Sequence, residues 1–336
     1  MAQRFNVLIA DFLDEASVET PVLRDIAQIK LAVARDEKDF SEDQLGDIDA
    51  LMLYHDIAHL GEATFARAPR LKGLVRAGVG YNNVDLDAAG RRGIVVCNVP
   101  DYGTEEVADH TLMFLLALVR RLHSSDAAIR AGGWDYRSAR DAPRLRGKTI
   151  GLIGCGRIGT ATALRAKAFG LDVVFFDPFV PQGTDKALGV RRVHRLEELL
   201  EQSHFVSLHC YLSQSTHHLI NAGALARMRR GTILINTARG PIVDQNALIQ
   251  ALDSGHLLGA GIDVTEREPL DDDRLRFHPR VLLTPHSAFY SIEGFVELRT
   301  KTAEEVRRLL LGEPPRNPVV GGMSTPLVRA AVPPVR

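Results

Sequence analysis

The sequence predicts an α/β protein made of two doubly wound parallel-sheet domains. Its 336 residues exceed the size at which a single hydrophobic core usually stops growing, which favours two domains. Short apolar runs alternate with polar, helix-like stretches along most of the chain, which is the pattern of βα repeats. A glycine-rich turn follows one of these runs and opens a helix-like segment, as in a Rossmann fold.

The apolar runs form two series, each of which predicts one parallel sheet. The first comprises residues 7–10, 31–33, 51–54, 71–75 and 94–97, and the second 148–153, 173–176, 205–209, 232–236, 260–263 and 281–284. A turn-rich passage at 98–103 precedes a long helix from Thr104 to about Arg130, and a final helix spans about 291–311. We therefore expect a flavodoxin-like domain, 1–101 and 291–320, into which a Rossmann domain, 102–290, is inserted. The proline-rich residues 321–336 should be a tail without a packed element of its own.

Composition excludes several classes of function. Lys and Arg number 41 against 42 Asp and Glu, so no global field attracts nucleic acid or an anionic membrane. No apolar run is long enough to span a bilayer, and the N-terminus opens no signal core. The three cysteines form no disulfide or metal pattern, and no metal is predicted. These features favour a cytoplasmic protein whose acidic ligands, if any, are held by local cations.

The glycine-rich turn has the spacing of a dinucleotide-binding loop. Gly154 permits a tight turn, Gly156 lets the backbone approach a pyrophosphate, and Gly159 lets helix and strand pack closely. The amides at the start of the helix can then bind the phosphates. Asp177 ends the next strand, at the position where an acid meets the adenosine ribose. Because a carboxylate repels a 2'-phosphate and residues 178–183 contain no Lys or Arg, NAD is favoured over NADP.

Three ionisable residues follow successive strands of the second series, where their side chains should meet at one edge of the sheet. Arg239 can hold a carboxylate and polarise a neighbouring carbonyl with its planar guanidinium. His286 can exchange a proton with the oxygen on C2, and Glu268 can orient the imidazole and favour its charged form. Beside a nicotinamide, these groups suit the interconversion of 2-hydroxy and 2-keto acids.

The chain resembles the D-isomer-specific 2-hydroxyacid dehydrogenase family over nearly all of residues 5–320, and within it most resembles the branch of the C-terminal-binding protein corepressors. The matching segments are 76–85, 96–100, 106–109, 164–170, 236–240 and 286–291. The resemblance implies that Arg239, Glu268 and His286 occupy the catalytic positions. Formate dehydrogenases, which are similar, pair their histidine with glutamine, so Glu268 points to hydroxyacid chemistry.

The resemblance also implies the remaining binding residues. Those expected along the cofactor, besides the three glycines and Asp177, are Ile153, Arg157, Ile158, Cys210, Thr216, Thr237, Ala238, Asp263, His286 and Ala288. Asp263 would accept a hydrogen bond from the nicotinamide carboxamide. Those expected at the substrate, besides Arg239, are Arg76, Gly78, Val79, Gly80, Phe289 and His55. Phe289 stands where the corepressor branch commonly has tryptophan, which keeps apolar or aromatic 2-keto acids as candidate substrates.

The sequence leaves alternatives open for the function of the protein and for the burial of one apolar cluster. The fold could serve as an NAD(H)-sensing binding protein with weak catalysis, because the corepressors keep the same catalytic residues, although the short tail after Leu311 favours an enzyme. The apolar cluster Leu112, Met113, Leu115, Leu116, Leu118 and Val119 predicts a homodimer through the helix at 104–130, with burial inside one chain as the alternative.

Overall fold

The computed structural model describes residues 4–54 and 57–319, which divide into two compact units. Among the described residues, the first unit contains those from 4 to 103 and from 291 to 319, and the second contains 104–290. Strands β1 (Phe5–Asp11), β2 (Ala27–Val33), β3 (Ala50–Leu53), β4 (Gly73–Arg76), β5 (Val95–Asn98) and β13 (Pro318–Val319) belong to the first unit. Strands β6 (Thr149–Ile153), β7 (Asp172–Phe176), β8 (Arg191–Val193), β9 (Phe205–Leu208), β10 (Thr232–Asn236), β11 (Leu257–Ile262) and β12 (Val281–Leu283) belong to the second.

The sheet of the first unit has the order β13-β5-β4-β3-β1-β2. All neighbours are parallel except β13, which pairs antiparallel with β5. The five parallel strands therefore have the flavodoxin-like order, with the change of direction between β1 and β3. The pairing of Pro318 with Cys97 places a proline at the sheet edge, the position where its missing N–H is tolerated.

The sheet of the second unit has the order β12-β11-β10-β9-β6-β7-β8, and all its strands are parallel. This is the Rossmann order with one strand added beyond β11, and its topological switch lies between β6 and β9. The predicted fold class, two doubly wound parallel-sheet domains, is confirmed. Strand β8 was not predicted, because its three residues include two arginines and give no apolar run.

Helices surround both sheets. Those of the first unit are α1 (Thr20–Leu23), α2 (Glu42–Leu45), α3 (Glu62–Ala66), α4 (Leu86–Arg91) and α13 (Ile292–Leu310). Those of the second are α5 (Thr104–Val119), α6 (Leu122–Arg130), α7 (Arg157–Ala168), α8 (Thr184–Leu188), α9 (Leu196–Gln202), α10 (Ala222–Arg227), α11 (Gln245–Asp253) and α12 (Asp273–Arg276). Short 3-10 turns lie at Glu37–Asp39, Tyr136–Ala139 and Gly240–Ile242. None of the helices in the described part of the chain combines the length and apolar character needed to cross a bilayer.

The predicted helix from 104 to 130 is wrong in one respect, because it is two helices. Arg121 adopts a left-handed backbone, φ 54°, and ends α5 before α6 begins. The apolar cluster on α5 is also divided. Leu112, Leu115 and Val119 are buried in the core of their own unit, as the single-chain alternative predicted, whereas Met113 is 45% exposed.

Helix α5 packs tightly on the sheet because a strand of the sheet has glycine, which has no side chain, at the point where the helix crosses it. A Cβ on Gly261 of β11 would lie only 2.6 Å from the ring of Phe114. Glycine at this position therefore lets α5 approach the strand that leads into Asp263. The result is a helix held directly against the strand ends that carry the candidate site.

Candidate active site

The loop after β6 has the geometry that a dinucleotide requires. Gly154 has φ 95°, and a Cβ there would lie 2.6 Å from the carbonyl carbon of His209. A Cβ on Gly159 would lie 2.4 Å from the Gly154 oxygen, so helix α7 meets the strand closely. Gly156, by contrast, faces open space, with no atom within 4 Å of a Cβ built there. The loop is therefore crowded beneath and open above, as backbone contact with a pyrophosphate demands.

The remaining loop residues follow the same pattern. Ile153 is buried at the end of β6, while Gly156 and Arg157 are exposed and Ile158 is half-buried at the start of α7. The backbone N–H groups of Arg157 and Ile158 belong to the first turn of the twelve-residue helix α7, whose N-terminus favours an anion. Cys155 lies within the loop, and burial raises the pKa of its thiol to about 11, so the thiol is neutral.

Asp177 lies directly after β7 and is fixed by the backbone around it. Its Oδ2 accepts from the Cys155 N–H at 2.8 Å, and its Oδ1 accepts from the Phe179 N–H at 2.8 Å. Oδ1 also accepts from the Val180 N–H at 3.3 Å, so Oδ2, which has one donor, is the oxygen that keeps acceptor capacity for a ribose hydroxyl. Arg192 of β8, a residue that the sequence analysis missed, donates to the Asp177 backbone oxygen at 2.5 Å. The Arg192 guanidinium therefore lies close to Asp177, although residues 178–183 contain no Lys or Arg.

Arg239 lies on the loop after β10, which a buried amide holds in shape. Asn236, only 1% exposed, donates from Nδ2 to the Arg239 oxygen at 2.9 Å and accepts from the Ala238 N–H at 3.0 Å. The Arg239 guanidinium donates to the Ala238 oxygen at 2.6 Å. A Cβ on Gly240 would lie 1.8 Å from the Thr265 oxygen, so this loop touches the one that leads to Glu268.

Glu268 and His286 form a hydrogen-bonded pair. Glu268 Oε2 lies 2.7 Å from His286 Nδ1, and Glu268 Oε1 accepts from the Thr265 N–H at 3.2 Å. Burial alone would raise the pKa of Glu268. The hydrogen bond and charge of His286, the Thr265 N–H and the charge of Arg239 outweigh it, so that the pKa is lowered and the side chain is a carboxylate. The three residues predicted as catalytic therefore lie together in the second unit.

His286 is held in a backbone conformation that most residues avoid. Its φ of 54° lies in the left-handed region, which costs about 1–3 kcal/mol for a residue with a Cβ. Its N–H donates to the Asp263 oxygen at 2.8 Å, which fixes the turn. The ring of Phe289 meets the His286 ring edge-on, with 6.5 Å between centroids. A strained, firmly bonded turn of this kind is typical of a functional site.

Asp263 follows β11 and is 3% exposed. Its Oδ1 accepts from Thr284 Oγ1 at 2.5 Å and from the Ser287 N–H at 2.9 Å, and its Oδ2 accepts from the Ala288 N–H at 3.1 Å. The carboxylate thus holds the segment that carries His286. Ala288 takes part in the site through its backbone N–H, which donates to this carboxylate.

The other predicted cofactor residues lie on loops after β9 and β10. Burial raises the pKa of the Cys210 thiol to about 12. Thr216 donates to the Tyr211 oxygen at 2.7 Å and accepts from the Ser213 N–H at 2.7 Å, which closes the loop 211–216. Thr237, 8% exposed, shares a hydrogen bond of 3.1 Å with Thr111 of α5.

The predicted substrate residues of the first unit surround the end of β4. Arg76 is 8% exposed, so it is not a solvated arginine, and it donates to the Ala77 oxygen at 2.6 Å. Gly78 has φ 144°, and a Cβ there would collide with Arg76 Nη1 at 1.8 Å. Val79 is exposed and Gly80 half-buried in the same turn. His55 lies outside the described residues.

Several residues that shape the site were not predicted. Asn236, His110 and Thr284 are the main ones, since the first holds the Arg239 loop and the other two bond to each other and to Asp263. The only sequence signal for His110 was its place in a run of three polar residues, Asp109 to Thr111, directly before the apolar half of α5. No spacing rule could join His110 to Thr284, 174 positions away. Among the described residues, no three His, Cys, Asp or Glu side chains are grouped as a metal site requires.

Comparison with known proteins gives a family match over residues 112–288, to the D-isomer specific 2-hydroxyacid dehydrogenase NAD binding domain. C-terminal-binding protein 1 of Caenorhabditis elegans is 36% identical over 312 residues, covering 90% of this chain and 43% of that protein. D-3-phosphoglycerate dehydrogenase of Bacillus subtilis is 36% identical over 310 residues, covering 92% of this chain and 58% of that protein. The chain thus spans about half the length of these two relatives.

Solved structures match over their full length. D-lactate dehydrogenase from Aquifex aeolicus, determined with NAD and lactic acid, is 31% identical with a TM-score of 0.86, covering 95% of this chain and 100% of that one. These findings confirm the predicted family resemblance, including relatives of the corepressor type, and NAD as the cofactor. The family and these named relatives are dehydrogenases, the class of enzyme that the sequence predicted.

Proposed function

Because this chain belongs to the D-isomer-specific 2-hydroxyacid dehydrogenase family, we propose that it reduces a small 2-keto acid to the D-2-hydroxy acid, or catalyses the reverse reaction. The observation that carries this proposal is the Glu268–His286 pair, 2.7 Å apart, with Arg239 beside it. The pair lies at the same edge of the sheet as the glycine loop. When bound there, the nicotinamide supplies or accepts the hydride.

Arg239 binds the substrate in this mechanism. Its guanidinium forms charge-assisted hydrogen bonds to the carboxylate and draws electron density from the C2 carbonyl. The Asn236 amide keeps the loop from shifting, because it bonds to both sides of the Ala238–Arg239 peptide region. Arginine suits this role better than lysine, since its donors lie in one plane and can bond in pairs.

His286 moves the proton. Its Nδ1 is bound to Glu268, which assigns Nε2 as the atom that meets the substrate oxygen. During reduction, the imidazolium gives the Nε2 proton to the oxygen on C2 and becomes neutral imidazole; during oxidation, neutral Nε2 takes the hydroxyl proton. The Glu268 carboxylate stabilises the charged ring and fixes its orientation.

The residues described around the glycine loop fit NAD. Asp177 would accept hydrogen bonds from the adenosine ribose, the amides of Gly156 to Ile158 would hold the pyrophosphate, and Asp263 would accept from the carboxamide. Ile153, Gly154, Gly159, Cys210, Thr216, Thr237, Ala238 and Ala288 would line the rest of the site, as the family resemblance implies.

The substrate-binding roles of Arg76, Gly78, Val79, Gly80, Phe289 and His55 are proposed on the family resemblance. The turn at Gly78 would offer backbone amides to the substrate carboxylate. Phe289, packed against His286 at 6.5 Å, would contact the substrate side chain, which favours an apolar or aromatic 2-keto acid.

A steady-state assay tests the proposal. The enzyme should oxidise NADH in the presence of at least one of glyoxylate, hydroxypyruvate, phenylpyruvate or 4-methyl-2-oxopentanoate, and yield the D-hydroxy acid. The alternative function, an NAD(H)-sensing binding protein of the corepressor type, predicts no turnover with any keto acid and NADH-dependent capture of protein partners.

We also propose a homodimer through the outer face of α5 to α7. This face has a groove of about 540 Å³ lined by apolar side chains and rimmed by Asp109, Arg120 and Arg165. The next helix, α6, has no buried residue, and its Leu122, which lines the groove, is 62% exposed. Apolar surface of this extent is typical of an interface. Light scattering should give twice the chain mass, and a monomer mass would contradict the proposal.

The cytoplasm is the proposed location. Cys97, Cys155 and Cys210 are all free thiols, which matches a reducing compartment. Detection of the protein in an oxidising compartment by fractionation would contradict this assignment.

A further inference from the structure

His110 lies on the inner face of α5, beside the candidate site. Its Nε2 is 3.0 Å from Thr284 Oγ1, and its side chain is 15% exposed. Its ring meets the Phe114 ring edge-on, with 4.8 Å between centroids. Because Phe114 is itself locked against Gly261, the imidazole has a fixed position relative to β11.

The direction of the hydrogen bonds defines the state of the imidazole. Thr284 has one hydroxyl hydrogen, and it donates that hydrogen to Asp263 Oδ1 at 2.5 Å. The contact with His110 must then be a donation from the His110 Nε2–H to the Thr284 oxygen. Burial lowers the pKa of His110 and outweighs the nearby charge of Asp263, so the ring is neutral with its hydrogen on Nε2.

This series of hydrogen bonds ends at the Asp263 carboxylate, which can accept one more hydrogen bond at a particular oxygen. Asp263 Oδ1 receives Thr284, the Ser287 N–H and, at 3.2 Å, the Ala288 N–H, whereas Oδ2 receives the Ala288 N–H alone. Since each carboxylate oxygen has two acceptor positions, Oδ2 is the oxygen that can take another donor. The same residue accepts the His286 N–H through its backbone oxygen.

We propose that His110 is a positioning residue, which acts through Thr284 to aim Asp263 Oδ2 at the carboxamide N–H of the nicotinamide and to hold the segment 284–288. This inference rests on the proposed function, since it concerns the same cofactor site. His110 touches neither the reacting atoms nor the dinucleotide in this role. Replacing His110 should therefore weaken only that part of cofactor binding which comes from the nicotinamide carboxamide.

The test compares His110→Leu with His110→Gln, whose side-chain amide keeps an N–H donor at a similar reach. His194→Leu is the control, because His194 is exposed. Calorimetry with NADH should show about tenfold weaker binding for His110→Leu, because the hydrogen bond from the carboxamide to the charged Asp263 is then poorly aligned. His110→Gln should bind NADH within about threefold of the parent.

A cofactor analogue separates positioning from general damage. Reduced 3-acetylpyridine adenine dinucleotide carries a methyl ketone in place of the carboxamide and has no N–H to donate to Asp263. The parent and His110→Leu should bind this analogue within about twofold of each other.

Equal losses for NADH and the analogue, or no loss for either, would overturn the inference. If His110→Leu does not fold, Thr284→Val against Thr284→Ser gives the same comparison, because serine keeps the hydroxyl. Failure of the parent protein to bind NADH at all would instead overturn the proposed function, and with it the basis of this inference.

Discussion

Replacing Glu268 by glutamine tests the acid/base pair, because it removes the charge and keeps the shape. In the parent, Oε2 lies 2.7 Å from His286 Nδ1, and the lowered pKa of Glu268 keeps it ionised at neutral pH. The glutamine oxygen can still accept from the Nδ1–H. Loss of the carboxylate leaves the imidazolium without its counter-charge, whereas the neutral ring is little affected.

The size of the effect follows from this difference. A hydrogen bond to a charged group contributes roughly 1.5–3 kcal/mol, about 1 kcal/mol or more above a neutral one. Keto-acid reduction needs the imidazolium, so kcat/KM at neutral pH should fall about tenfold for a loss near 1.4 kcal/mol. The pH at which reduction fades should also move lower, because the charged ring loses its counter-charge.

The assay is kcat/KM for keto-acid reduction with saturating NADH, measured across pH for the parent and Glu268→Gln. Glu266→Gln is the matched control, because Glu266 lies on the same loop and pairs with His218 at 2.8 Å. An unchanged rate and profile for Glu268→Gln, or equal changes in both variants, would refute the assigned role.

Three other outcomes are expected. Arg239→Lys keeps the charge but loses the planar pair of donors, so kcat/KM should fall about 100-fold with NADH affinity unchanged; undiminished kcat/KM would exclude its role at the carboxylate. Asp177→Ala should weaken NADH binding and raise the NADPH/NADH preference, since it removes the carboxylate that repels a 2'-phosphate and keeps Arg192, which donates to the backbone oxygen of residue 177; an unaltered ratio would contradict this assignment. Burial lowers the pKa of His209 from 6.5 to about 3, so between these pH values the imidazole is protonated in the unfolded state and neutral in the folded state. The free energy of unfolding should fall as pH drops below about 6.5, by about 2 kcal/mol at pH ~5 from this residue alone. Urea unfolding of His209→Gln should show a weaker pH dependence than the parent, and equal slopes would contradict it.

The sequence was sufficient for the elements with a local signature. The glycine spacing and Asp177 identified β6, α7 and β7 because each glycine answers a backbone requirement that other residues cannot meet. The alternation of apolar runs identified most strands of both sheets. The Arg239, Glu268 and His286 prediction needed only the rule that parallel strands end at one edge.

Other features depend on contacts that no local pattern encodes. The break between α5 and α6 falls at Arg121, where neither glycine nor proline marks it. The burial of Leu112 and Leu115 against their own sheet could not be separated from burial in a dimer, since both satisfy the same apolar stripe. The bonds that join His110 to Thr284 and Arg192 to Asp177 link distant segments, and only the fold brings them together.

The most direct measurement of the central claim uses His286→Asn, since asparagine tolerates the left-handed backbone at this position. NADH consumption with the best keto acid should fall by roughly 10²–10⁴-fold in kcat/KM, the usual contribution of a positioned proton donor. NADH should still bind this variant, because the other residues expected along the cofactor are unchanged. Turnover close to that of the parent, with NADH binding intact, would contradict the claim that His286 supplies the proton.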